Sequence, residues 1–140
     1  MNEINIIRLI IDSSIFMLIL LVQIVIYPCF HSISNELFSN WHYNYMKTIS
    51  LVIGPLMIIQ AIILSYQFIS IRNIVSILSL ISVFVVWITT VSISVPCHNA
   101  LQANGYNAII VDRLINTNWI RTISWLITLI LSIFNYYKSN

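Results

Sequence analysis

Four long apolar segments divide the chain, with short polar stretches between them. They cover about residues 4–27, 48–71, 74–95 and 119–137. Each reaches roughly the 20 apolar residues that a helix needs to cross a membrane. None alternates apolar and polar residues as the strand of a membrane barrel does, and in lipid the backbone must form its hydrogen bonds within the segment. The pattern therefore predicts an all-α membrane protein, a four-transmembrane-helix bundle forming one domain over residues 1–140.

The polar breaks predict where the helices end. Pro28 and Pro96 should close the first and third helices, and Arg72 should mark a tight turn between the second and third. The connections 28–47 and 96–118 are then long and lie opposite the two termini, which share one side. Lys and Arg residues are divided equally between the two sides, so the positive-inside rule gives no orientation. Gly54 and Pro55 should kink the second helix near its start.

Composition narrows the class of protein further. Hydrophobic residues make up 59% of the chain and charged residues 7%, with a mean hydropathy of +0.94, whereas soluble domains have about 25% charged residues. A net charge of +2 gives no reason to expect a nucleic-acid partner. The first apolar segment is too long for a cleaved signal peptide and lacks an A-x-A site. Cys29 and Cys97 are either two buried thiols or, if their side is extracytoplasmic, a disulfide.

The candidate chemistry lies on the side of the two long connections. All three histidines are there, and His42 and His98 border the predicted helix mouths. A neutral imidazole is a suitable general base near pH 7, so both are predicted catalytic residues unless their role is a purely structural hydrogen bond. A metal ion is the alternative, with His31, Glu36 or Asp112 completing the ligand set beside His42 and His98. The spacing matches no established metal motif, so the cofactor stays open.

A third catalytic candidate is Arg121. Asn118 is predicted as the N-cap of the fourth helix, which would place Arg121 within the first turn. Cations are disfavoured there, so Arg121 should have a partner such as Glu36, Asp112, a lipid phosphate or a substrate oxygen. The remaining polar and aromatic residues near these helix ends are either an interfacial belt or a substrate-binding set made up of Gln23, Tyr27, Trp41, Tyr45, Asn118 and Trp119.

Arg8 and Asp12 lie on the opposite side of the predicted membrane. Their spacing of four residues predicts an ion pair on the surface of the first helix, near the interface. Asp12 lies about 22 Å along the helix from Tyr27. The pair should therefore take no part in the histidine site.

Several of these residues also resemble a known family. The run from Val95 to His98, the run from Thr117 to Thr122 and the first-half residues Gln23, Tyr27 and His42 resemble a family of small bacterial four-helix integral membrane proteins of uncharacterised function. The proline of the third helix and the arginine of the fourth are more distantly similar to the anthrone-oxygenase-like family. The resemblance implies a location in the bacterial cytoplasmic (inner) membrane.

This resemblance also bears on the metal alternative. Members of the first family often carry His where this chain has Tyr45. If that position holds a metal in them, this chain lacks the ligand. The departure weakens the case for a metal ion here.

Two hypotheses of function follow. In the first, the protein is an oxidoreductase or oxygenase for a hydrophobic small molecule that enters from the bilayer, with His42 or His98 moving the proton and Arg121 holding a developing oxyanion. In the second, it is a non-enzymatic membrane module, a lipid-binding or accessory subunit, whose Ser, Thr and Gln residues bind a second copy or a partner membrane subunit. Transport is a weaker third hypothesis, because four helices make a narrow pathway. Membrane lipids are expected partners in each case.

Overall fold

The computed structural model describes residues 2–139 and contains four long helices. They are α1 (Glu3–Ser32), α2 (Asn35–Ile71), α3 (Ile74–Asn104) and α4 (Ala108–Lys138), and each is long and apolar enough to cross a membrane. No strand occurs between residues 2 and 139. The prediction of a four-helix bundle is confirmed, and the chain is an integral membrane protein.

The helices form a ring in the order α1, α4, α3, α2. α4 packs extensively against both α1 and α3, whereas α2 makes fewer contacts with α3 and α1 and lies across the bundle from α4. α4 is accordingly the most buried helix and α2 the least. Loose packing of one helix leaves space beneath it, and the cavity described below lies there.

The helices are longer than the apolar segments predict. Only residues 33–34, 72–73 and 105–107 lie between them, so the long connections predicted at 28–47 and 96–118 are wrong. Polar and aromatic residues fill those stretches, but Gly105 is their only glycine and no proline follows Pro96. Without such residues a helix continues past the apolar boundary. α3 ends at Gly105, which has a φ of 79° that glycine adopts at little cost.

The start of α4 corrects a second expectation. The side chain of Asn107 accepts hydrogen bonds from the backbone N–H groups of Ile109 and Ile110, at 3.0 and 3.2 Å. Asn107 therefore caps α4, and the prediction that Asn118 is the N-cap is wrong. Arg121 lies about 20 Å beyond the start of α4, far from the first turn.

Neither Pro28 nor Pro96 ends a helix. A π-helical turn precedes each of them, Val22–Ile26 in α1 and Thr90–Ser94 in α3. Proline removes an N–H and clashes with the carbonyl four residues earlier. In both helices that carbonyl belongs to the π-helical turn, whose wider hydrogen-bonded loops accommodate the proline. Pro55 likewise lies inside α2, near its middle and not near its start.

The outer surface of the bundle is apolar and its interior is partly polar. Large side chains such as Leu51, Phe84 and Ile130 are exposed, as lipid-facing positions require. Many polar side chains are buried, among them two arginines, one carboxylate and two histidines. In a membrane such groups need partners inside the protein. They form two networks, one toward each end of the bundle.

Candidate functional site

A cavity of about 180 Å³ lies between α2 and the other three helices. Along α2 its lining residues recur every three or four positions from Tyr45 to Met57, a length of about 18 Å. Tyr27, Ser94, His98 and Arg121 make the wall toward the loop side polar, whereas the wall toward the centre of the bundle is mainly apolar, with Thr90 as its polar residue. The cavity is therefore elongated and amphipathic.

The cavity opens sideways, between α2 and α3. Two of its lining residues, Ser50 of α2 and Val95 of α3, are exposed, and Met46 and Gly54 are half-buried. A Cβ added at Gly54 would meet no atom within 4 Å. The mouth lies along the apolar sides of two membrane helices, so a ligand would enter from the bilayer.

Arg121 is the charged group of this cavity. It is 7% exposed, and its Nη1 donates to Ser94 Oγ and Asn118 Oδ1, each at 3.1 Å. Its Cζ lies 5.4 Å from the centroid of the Trp125 ring. Nε is buried without a hydrogen-bond partner among residues 2–139, and no carboxylate in that part of the chain pairs with the guanidinium. Neither predicted protein partner, Glu36 or Asp112, contacts it.

Asn118 and Gln23 fix the position of Arg121. Asn118 Nδ2 donates to Gln23 Oε1 at 2.8 Å, and Gln23 Nε2 donates to the carbonyl of Ile115 at 3.1 Å. With its amide nitrogen so engaged, Asn118 presents its oxygen to Arg121. Gln23 lies in the π-helical turn of α1, and such turns are frequent at functional sites. These two residues were predicted to bind substrate. They do not line the cavity, and they hold the Arg121 side chain in position.

The two catalytic histidines predicted from the sequence form a hydrogen-bonded pair. His42 Nε2 lies 3.0 Å from His98 Nδ1, and His98 Nε2 lies 3.1 Å from the hydroxyl of Tyr27. At the other end His42 Nδ1 lies 3.0 Å from Gln102 Oε1. Tyr27 lies beside the guanidinium of Arg121. One chain of contacts thus runs from Gln102 to the cavity.

Aromatic side chains enclose this pair. Phe38 stacks on His42 at a centroid distance of 5.5 Å, and the fully buried Phe30 contacts both imidazoles edge-on. Tyr45 lines the cavity and stacks on Trp41. Trp41 and Trp119 do not line the cavity and are exposed, where an aromatic belt would place them. Of the predicted binding residues, Tyr27 and Tyr45 face the cavity directly.

His31 does not join the other histidines. It lies on the surface, where Nδ1 contacts the Tyr106 hydroxyl at 2.9 Å and Nε2 pairs with Asp112 at 3.1 Å. Glu36 is exposed in the first turn of α2. Residues 2–139 contain no cluster of three or more His, Cys, Asp or Glu side chains suited to a metal ion. The residues predicted as a third ligand therefore lie apart from His42 and His98.

Both cysteines are free thiols, Cys29 exposed and Cys97 buried. The structure therefore contains no disulfide between Cys29 and Cys97, and that alternative is wrong. The expectation that both thiols are buried holds for Cys97 alone.

The second polar network surrounds Arg8 and Asp12, and it corrects the prediction of a surface ion pair. The pairing is present, at 3.2 Å from Nε to Oδ2, but both residues are only 1% exposed. Arg8 also donates to Gln67 Oε1 at 2.7 Å and to Ser79 Oγ at 2.6 Å, while Gln60 donates to the second oxygen of Asp12 at 2.6 Å. The pair is interior because α2 and α3 supply these partners.

The residues predicted for the site include neither Gln102 nor Ser94, although the spacing of Ser94 from His98 suggested that the two converge at one end of the bundle. Gln102 holds the outer end of the histidine chain, and Ser94 bonds to Arg121. Their spacing could have identified them as site residues. Ser94 lies four residues before His98 and Gln102 four residues after it, so all three share one face of α3. The face of α3 that carries His98 therefore also carries Ser94 and Gln102.

The arrangement combines a cation that no carboxylate of residues 2–139 pairs with, a phenol and two imidazoles at one end of a mainly apolar cavity. Such a set can bind an anion and exchange a proton with it. No protein-family profile, no curated protein and no solved structure matches this chain. The resemblance to four-helix and anthrone-oxygenase-like proteins stays a prediction.

Proposed function

We propose that the protein is a membrane oxidoreductase or oxygenase whose first step removes a proton from a hydrophobic substrate held in the α2–α3 cavity. The observation that carries this proposal is Arg121. Its guanidinium is buried beside a bilayer-facing cavity, with Nε unpartnered and no carboxylate paired to it among residues 2–139. We place the protein in the bacterial cytoplasmic membrane, as the resemblance implies.

The cost of burying a charge explains why Arg121 implies an anionic ligand. A cation taken out of water is strongly disfavoured unless it gains a counterion and hydrogen bonds. Arg121 has two hydrogen bonds to neutral groups, the neutral Tyr27 beside it and one aromatic face, but no anion among residues 2–139. A ligand oxygen that becomes negative would supply what is missing. Pre-oriented donors of this kind stabilise the anion formed during a reaction.

The shape of the cavity indicates the class of substrate. A cavity of about 150 Å³ holds one benzene molecule, so this one, at about 180 Å³, holds a head of about one ring. Any remaining apolar part would lie toward Met57 or in the lateral opening. A carboxylic acid is already ionised near pH 7. A weak oxygen acid, a phenol or the enol of a ketone, is the substrate that needs both a base and a cation.

Roles for the remaining residues follow from their positions. Tyr27 and His98 line the cavity together and take the proton, while Arg121 holds the oxygen. The resulting anion is rich in electrons, and dioxygen is the proposed oxidant. For a CH₂ group activated by a carbonyl, one dioxygen would convert it to C=O: one oxygen atom becomes the carbonyl oxygen, and the other leaves with the two hydrogens as water.

The experiment uses a para-nitrophenol carrying an alkyl chain, whose phenolate is yellow. Bound to the protein in detergent, it should show a pKa about one unit below its value in empty micelles. Arg121→Gln should abolish this shift. Arg113→Gln is the matched control, because it removes an exposed positive charge from the same helix and should change nothing. An unshifted probe in the unaltered protein would contradict the proposal.

The oxidation step needs its own assay, because the same site serves the alternative of a lipid-binding module. An alkyl benzyl ketone is a suitable probe, since it has one ring and its CH₂ group lies beside a carbonyl. The proposal predicts dioxygen uptake with this ketone that His98→Gln removes. A protein that ionises the phenol but takes up no dioxygen would support the non-enzymatic module instead.

A further inference from the structure

The hydrogen bonds around His42 and His98 have a defined direction. Gln102 Nε2 donates to the carbonyl of Ser39 at 3.3 Å, so its Oε1 faces His42 as an acceptor. The Nδ1 of a neutral His42 must then carry the proton, which leaves Nε2 as an acceptor. The same reasoning puts the proton of His98 on Nδ1 and makes the Tyr27 hydroxyl the donor to His98 Nε2.

We propose that the chain Tyr27–His98–His42–Gln102 is a proton path that joins the cavity to the loop-side surface alone. It deepens the proposed function, on which it rests, because it specifies how the substrate's proton leaves. Tyr27 is the catalytic residue that exchanges the proton with substrate. Gln102 is a positioning residue that sets the tautomer of His42.

The outer end of the path reaches the surface. Gln102 is exposed and lies two residues before the end of α3. When its side chain turns outward, water can take its place at Nδ1 of His42. Imidazoles transmit protons well because one ring nitrogen accepts while the other releases.

The inner end is closed toward the opposite side of the membrane. Beyond Tyr27 and Arg121 the next polar contact is Trp125, whose Nε1 donates to Gln60 Oε1 at 3.1 Å. An indole N–H is a donor only and relays no proton. The Arg8–Asp12 network therefore does not continue the path, although it begins directly behind Trp125.

Each transfer moves one proton one place along the chain. The substrate proton passes to the Tyr27 oxygen, the Tyr27 proton to His98 Nε2, the Nδ1 proton of His98 to His42 Nε2, and the Nδ1 proton of His42 to water. One proton leaves, the substrate remains as an anion at Arg121, and both imidazoles carry their proton on Nε2. A returning proton restores the starting tautomers. The path thus releases one proton and takes one back in each cycle, as the proposed oxidation requires.

Two measurements test this path. The first is nitrogen NMR on the protein labelled at histidine, at about pH 8, above the ordinary histidine pKa. His42 and His98 should both be neutral with the proton on Nδ1, and Gln102→Leu should shift His42 toward the Nε2–H form. A wild-type His42 or His98 protonated on Nε2 would overturn the direction that we assign.

The second measurement follows the alkyl para-nitrophenol after a laser-induced pH jump. His42→Gln keeps hydrogen-bonding groups at that position but transmits no proton, so the absorbance should relax at least about tenfold more slowly. The equilibrium phenolate fraction should stay the same. His31→Gln, which alters an exposed histidine at the same end of the bundle, is the matched control and should relax like wild type.

The outcomes separate the two proposals. Equal relaxation rates in the His42→Gln and His31→Gln proteins would overturn the path while leaving the anion site intact. A probe whose pKa in the wild-type protein equals its pKa in empty micelles would overturn the proposed function. The NMR result would still decide whether the hydrogen-bond chain has the direction described.

Discussion

Two buried arginines divide the interior of this protein into two regions with different roles. Arg8 lies toward the end of the bundle that carries the termini and Arg121 in the other half, and both are almost inaccessible. In Arg8 all three nitrogens have a partner, one of them a carboxylate. In Arg121 one nitrogen serves two neutral partners, the Tyr27 side chain lies beside the guanidinium, and Nε has no partner among residues 2–139. The surroundings of each residue differ in the same way. Arg8 is enclosed by side chains, whereas Arg121 faces a cavity.

The contrast separates two kinds of buried charge in a membrane interior, one with complete coordination and one without. A buried charge is tolerated where the protein itself completes its coordination. Where the coordination is incomplete and space is left beside it, the missing partner is expected to be a ligand. The Arg8 network holds α1, α2 and α3 together, whereas at Arg121 we propose that a substrate supplies the missing partner.

The largest expected effect is on stability, and it falls on Arg8. Arg8→Met leaves the Asp12 carboxylate buried without its cation and should lower the free energy of unfolding by about 3–5 kcal/mol. Arg121→Gln leaves no such charge and should change it by less than about 1 kcal/mol. Unfolding by sodium dodecyl sulfate in mixed micelles measures both.

A double variant tests whether the lost stability comes from the unpaired carboxylate of Asp12. Arg8→Met combined with Asp12→Leu removes both charges, so it should recover much of the stability lost in the single variant. If Arg8→Met were as stable as wild type, or if Arg121→Gln were the less stable protein, the division into a structural and a functional arginine would be wrong.

Trp125 joins the two regions and should give an intermediate effect. Trp125→Phe keeps an aromatic face for Arg121 but removes the N–H that satisfies Gln60, at a cost of about 1–3 kcal/mol in unfolding free energy. Ionisation of the phenol probe should hardly change. A loss of the probe's pKa shift as large as that in Arg121→Gln would show instead that the two regions act as one.

The smallest effect on folding is expected at the mouth of the cavity. Gly54→Leu places a side chain in open space, so probe affinity should fall about tenfold, or 1.4 kcal/mol, while stability is kept. Gly54→Ala adds only a methyl group and should gain about 0.5–1 kcal/mol of helix stability with little loss of binding. Equal affinity in the leucine variant would mean that substrate does not use this opening.

The four helices could be predicted from sequence because a membrane helix satisfies its backbone within one segment. Their ends could not be predicted. Whether Pro28 breaks a helix depends on the π-helical turn before it, and apolar patterning does not reveal that turn. The grouping of the histidines was also predictable, since all three lie on the side of the predicted long connections.

Contacts between helices could not be predicted, because they join residues that are far apart in the sequence. Residues 59 and 71 positions away surround Arg8, so its spacing from Asp12 predicted the pairing but not the burial. The contact between His42 and His98 spans 56 positions and depends on how α2 and α3 pack. The same packing places Gln102 beside the pair and leaves His31 on the surface.

The two π-helical turns have a consequence for how this chain tolerates insertions and deletions. A π-helical loop encloses one more residue than an α-helical loop, so each turn acts as a phase shift in its helix. Deleting one residue between Val22 and Ile26 would restore an ordinary helix and rotate everything beyond it by about 100°. Tyr27 would then turn away from His98 and Arg121 with its chemistry unchanged. At these two places the protein depends on the number of residues as much as on their identity.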